Sequence, residues 1–151
     1  MKTIEPLYFN KIIHLAKLDD YLSRFFEQNN LPDEIYPNIY LAILETSKFL
    51  IMNITNEEDF KPIKLEVFFD NGILFSNIST NLLSELRMSF QLNKSDDESI
   101  MLIKNLCSSC QIKDNDTLQL TFAIDKLINE FEQIKDDEMQ IYKKLKKEEY
   151  I

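Results

Sequence analysis

The chain has a single glycine, Gly72, in 151 residues. Glycine supplies positive φ and lets backbone approach a ligand closely, so its scarcity argues against a phosphate-cradling loop. The sequence holds neither a Walker loop nor a dinucleotide fingerprint. There is no tryptophan, and there are two cysteines and one histidine. A zinc site asks for about four such ligands, so no metal or other cofactor is expected. No apolar run approaches the roughly 20 residues of a membrane-crossing helix. Glu5 and Pro6 interrupt any secretion-type apolar segment near the start, so the expected location is cytoplasmic. Positive charge is also short, with 17 Lys and Arg against 26 Asp and Glu, for a net charge of −9. An acidic surface repels phosphate backbones and anionic lipid, so neither nucleic acid nor membrane is an expected partner. The basic residues gather once, at Lys143, Lys144, Lys146 and Lys147, just before Glu148 and Glu149. That cluster reads as a solvated helix end, where cations offset the dipole.

Hydrophobic residues make up 44% and charged residues 28% of the chain, the balance of one globular domain with a core. Residues 3–9 suit a strand, with Pro6 holding it to an edge or an end, and Asn10 is placed to cap a helix. Over residues 11–29, Ile12, Leu15, Leu18, Leu22, Phe25 and Phe26 recur at three- and four-residue steps, as on an amphipathic helix. Leu31-Pro32-Asp33 breaks it. A second helix, apolar nearly all round, runs to about Asn53. Residues 55–62 form an acidic loop. Residues 63–67 alternate as a half-buried strand does, and Asn71-Gly72 before Ile73-Leu74-Phe75 is a type I′ hairpin signal. A short helix is expected over 81–90, a polar stretch over 91–98 and a helix over 99–110. Two strands, 111–113 and 117–122, flank a turn at Asp114-Asn115-Asp116. A long helix then spans 125–149, with Leu127, Phe131, Ile134, Ile141 and Leu145 on a heptad-like stripe that Glu138 interrupts; its first half, through Leu127, Phe131 and Ile134, is expected to pack on the domain. The order predicts an α+β, two-layer sandwich: a mixed, mostly antiparallel sheet with helices on one face, plus a long C-terminal helix. Residues 1–125 form the domain and 126–151 its helical extension.

Three features invite chemistry. Cys107-Ser108-Ser109-Cys110 is the sole CxxC. It falls at the expected C-terminal end of a helix, where the dipole disfavours a thiolate, so reduced structural cysteines are expected. His14 neighbours Ile13 and Leu15 without a Ser or Cys nucleophile motif and reads as a boundary residue. Glu45 lies within an apolar helix, where a carboxylate faces either a cleft or solvent beside Lys48.

In this order of elements, residues 3–125 resemble the histidine-kinase-like (GHKL or Bergerat-fold) ATPases, and most of all the small anti-sigma-factor serine kinases. Ile39-Tyr40-Leu41-Ala42-Ile43-Leu44-Glu45-Thr46-Ser47-Lys48-Phe49-Leu50 stands where that family has a helix bearing a glutamate and, four residues on, a magnesium-binding asparagine. Glu45 keeps the glutamate, while Phe49 replaces the asparagine and has no oxygen for a hard cation. After the hairpin, Asn77 stands for the aspartate that reads adenine, and Ser79 and Asn81 stand for glycines. The lid glycines fall on Asp97 and Ser99, beside Asp96 and Glu98, whose charge repels phosphate.

The resemblance implies a fold kept and an ATP site lost, with Glu45 and Asn77 as vestigial positions and no catalytic residue. It implies a non-catalytic interaction or regulatory module with a protein partner, a sigma factor or an anti-sigma antagonist. The C-terminal helix offers a homodimer surface. Two other functions stay open: a working ATP-binding serine kinase with divergent motifs, and an unrelated α+β dimerisation protein.

Overall fold

A computed structural model describes residues 4–54, 62–80 and 98–149. Strand β1 (Leu7–Phe9) leads through a 3-10 turn, Ile12–Lys17, into helix α1 (Leu18–Gln28). A second short 3-10 turn, Asp33–Ile35, precedes helix α2 (Tyr36–Ile54). Strands β2 (Ile63–Asp70) and β3 (Ile73–Ser79) follow. Helix α3 (Glu98–Leu106), strands β4 (Ser109–Lys113) and β5 (Thr117–Ala123), and helix α4 (Ile124–Glu149) complete the order. The helix expected over 81–90 lies outside the described residues.

The five strands form one sheet in the order β1-β2-β3-β5-β4. Expected to be mixed, it is antiparallel at all four pairings. Alternation sorts its two faces. Ile63, Leu65 and Val67 of β2, Leu74 and Ile78 of β3, and Leu118, Leu120 and Phe122 of β5 are buried. They join Leu18, Leu22 and Phe25 of α1, Ile39, Ala42, Ile43 and Leu50 of α2, and Ile100 and Ile103 of α3 in one apolar cluster. That cluster is the single seam of a two-layer α+β sandwich. The opposite face carries Lys64, Glu66, Asn77, Gln111 and Gln119, which the register aligns across the strands.

Both hairpins use positive φ. Asn71 and Gly72 have φ of 50° and 77°, the type I′ geometry that the dipeptide signals. Asp114 and Asn115 have φ of 55° and 63°, a left-handed conformation these two residue types tolerate best after glycine. Gly72 also accepts a hydrogen bond from the Ile124 N–H at 3.0 Å, which ties the start of α4 to the first hairpin. The third positive-φ site, Asn30 at 52°, closes α1. The Leu31 N–H reaches back to the Phe26 carbonyl at 2.9 Å there, as at a left-handed helix cap.

Three local expectations are corrected. Asn10 does not cap α1 with its side chain. The helix proper starts at Leu18, and the Asn10 N–H donates to His14 Nδ1 at 3.3 Å. The helix expected to run through Cys110 stops at Leu106. Ser108 N–H bonds the Thr121 carbonyl at 2.7 Å and Cys110 pairs with Leu120, so the β5 ladder takes up the backbone that a longer helix would have used. Finally, Ile134 does not pack on the domain: it is 56% exposed. Contact with the body ends with Leu127 and Ile128, which pack on the core, and the half-buried Phe131.

Candidate functional site

Glu45 stands on α2, half-buried, on the flank of the face that buries Ala42, Ile43 and Thr46. Its Oε1 lies 3.5 Å from Lys48 Nζ, the neighbour one turn on. Phe49 is in the core cluster, where no oxygen ligand is available from its side chain. Asn77 lies on the other face of the sheet. Its Oδ1 accepts from Gln119 Nε2 at 2.8 Å, and Gln119 is itself buried. The sheet therefore separates Glu45 from Asn77, and the two do not converge on one ligand. These positions do not fit a magnesium nucleotide. Ser79, the first of the two glycine positions, pairs its hydroxyl with Thr117 at 3.0 Å. Asn81 and Asp97 lie outside the described residues.

The inner face holds a polar feature that sequence reasoning missed. Thr46 and Ser47 on α2, and Ser76 and Thr80 on the β3 side, are all buried. The α2 pair is satisfied within its own helix: Thr46 donates to the Ala42 carbonyl and Ser47 to the Ile43 carbonyl, each at 2.7 Å. Among the described residues, the hydroxyls of Ser76 and Thr80 have no partner. Burying such a group costs about 1–3 kcal/mol. The sequence signal was there, because Leu74, Ser76, Ile78 and Thr80 share one parity.

The cysteines sit at the corner between α3 and β4. Cys107 Sγ–H donates to the Ile103 carbonyl at 3.1 Å. Burial pushes its thiol up to about 11. Burial, and then the neighbouring Cys107, push Cys110 up to about 12. Both are free cysteines, and at neutral pH both keep the proton that a nucleophile or metal ligand must lose. Among the described residues, no three His, Cys, Asp or Glu side chains come together as a metal site. An open cleft of about 660 Å³ lies between the end of α1 and the start of α2, lined by Ser23, Phe26, Glu27, Leu31, Asp33 and Tyr36. The Tyr36 hydroxyl is taken by the Asp19 carboxylate, and burial followed by that bond raises the phenol well above its usual range.

The other unspent surface is α4. From residue 132 to residue 148 every position is exposed. Ile134, Met139, Ile141, Tyr142 and Leu145 are each 56–60% exposed. What supports this stretch is local: Lys135 stands over the Phe131 ring at 4.8 Å, Lys146 over Tyr142 at 5.4 Å, and Gln133 donates to Asp137 at 3.0 Å. Contacts of this kind contribute a few tenths of a kcal/mol each. Among the described residues no helix is long and apolar enough to cross a membrane. Set against known proteins, the chain matches no family model, no curated protein and no solved structure.

Proposed function

We propose that the chain is a non-catalytic protein-interaction module, resembling an anti-sigma factor without its ATP site, and that residues 132–148 of α4 are its working surface. One observation carries this reading: an amphipathic helix continues about 25 Å, at 1.5 Å per residue, beyond the last side chain that packs on its own domain. Isolated helices of this length are marginal in water, and apolar side chains held at regular spacing on exposed turns suit a partner helix or groove. In this reading the body serves as scaffold, the location is cytoplasmic, and the resemblance suggests a sigma factor or its antagonist as the regulated protein.

The test places a photo-crosslinking amino acid at Ile141 in cells native to the chain. A discrete covalent adduct, absent when the same probe replaces exposed Ile13, is the expected result. No adduct at Ile141 or at Leu145 overturns the reading. A calorimetric titration with ATP and magnesium should show no binding, and a micromolar dissociation constant would restore the kinase alternative.

A further inference from the structure

Resting on that reading, we infer that the occupant of the α4 surface is a second copy of α4, running antiparallel about a twofold axis between Met139 and Gln140. Phe131, Ile134, Glu138, Ile141 and Leu145 follow the alternating three- and four-residue spacing of a coiled-coil seam. Charge along the helix is split. Over residues 130–138, Glu130, Glu132, Asp136, Asp137 and Glu138 stand against one Lys135, while residues 143–147 carry Lys143, Lys144, Lys146 and Lys147 ahead of Glu148 and Glu149. An antiparallel copy lays the acidic stretch of each helix against the basic stretch of the other. A parallel copy sets acid on acid and Glu138 on Glu138.

The register follows from the same residues. With the axis between Met139 and Gln140, Ile134 of each copy packs on Leu145 of the other, and Glu138 meets Ile141. Asp137 then flanks Lys144 twice, once on each side of the axis. Sliding one heptad in one direction sets Asp137 against Asp137. Sliding one heptad in the other sets Lys144 against Lys144 and Glu138 against Glu148. Both carry the like-charge penalty that selects partner and register in such pairs. Length agrees independently. The exposed run covers 132–148, whose midpoint is residue 140, so one copy's free stretch spans the other's and ends where each body begins. Glu138 in the seam lowers affinity while fixing register, as a lone polar seam residue does. Tyr142 of the second copy lies one position from that layer, with a hydroxyl to donate to the carboxylate.

The experiment is sedimentation equilibrium of the full chain, from about 1 to 200 μM, with Asp137→Lys, Lys144→Asp and the double exchange. The wild type should reach twice its 17.9 kDa mass. Each single reversal creates two like-charge pairs per dimer and should weaken association about tenfold. The double exchange should restore it, with all four proteins equally folded by circular dichroism. A chain that stays monomeric at 200 μM, or a dimer indifferent to the exchange, overturns the inference. An adduct at position 141 of any mass other than the dimer's also overturns it, yet leaves the interaction reading standing. A monomer that forms no adduct at all sinks both.

Discussion

Helix α2 has 19 residues and helix α4 has 26. Along α2, Ile39, Ala42, Ile43, Phe49, Leu50 and Ile51 are buried, and even its threonine and serine at 46 and 47 are sealed from water. Along α4, Ile124 is buried, Leu127, Ile128 and Phe131 are half-buried, and all 17 positions from 132 to 148 are exposed. The first helix draws its stability from tertiary packing and the second, over most of its length, from its own side chains. This matters for function because burial of α2 is explained by the fold alone. Exposed Ile134, Ile141 and Leu145 are not explained by the fold, and a helix end needed only for solubility would carry polar residues there.

The contrast breaks most sharply when one leucine is truncated in each helix. Leu50→Ala, at a fully buried site, should lower unfolding free energy by about 2–5 kcal/mol. Leu145→Ala, measured at low micromolar concentration, should change it by less than about 0.5 kcal/mol. Urea midpoints of the two variants decide this, and comparable losses would mean that the outer half of α4 packs on its own body.

The buried layer also reaches the thiols. At pH 8 the folded chain should be alkylated by iodoacetamide at least about a hundredfold more slowly than the chain in urea, where the thiols ionise near 8.5. The same thiols link stability to pH. Below about pH 8.5 they are protonated in both states and contribute fully. As pH rises from there towards about 11, the unfolded chain loses protons that the folded chain retains, so stability falls. A stability profile flat from pH 8 to 10 would contradict the burial of both groups.

A smaller effect tests the inner polar feature. Ser76→Ala removes a buried hydroxyl without a partner among the described residues and should raise stability by about 1 kcal/mol. A loss instead would reveal a bound group at that hydroxyl. The smallest expected change is at Glu45→Gln. Its partner Lys48 is 41% exposed at the side chain, and such a pair contributes about 0–1 kcal/mol. A thermal melt should therefore shift by no more than about 4 °C.

Much of this was legible along the chain. Period in Leu18, Leu22, Phe25 and Phe26 marks α1, and Asn71-Gly72 marks the first hairpin. Cys107 and Cys110 misled because a three-residue spacing suits a helix face as well as a strand beginning. Only the hydrogen bonds from β5 decide between them. Asn77 and Glu45 look adjacent in a motif-ordered reading, yet parity along β3 already puts Asn77 with the outward residues. What parity lacks is the side of the sheet on which α2 lies.

Composition and periodicity alone determined that this chain builds an acidic α+β domain with a long terminal helix, because apolar spacing, a lone glycine and net charge are local properties of the sequence. Tertiary structure alone decided where α3 yields to β4, that the sheet stands between Glu45 and Asn77, and that α4 leaves the body after Phe131. Each of those depends on which surfaces are already covered by residues far away in the chain, and no local pattern encodes coverage.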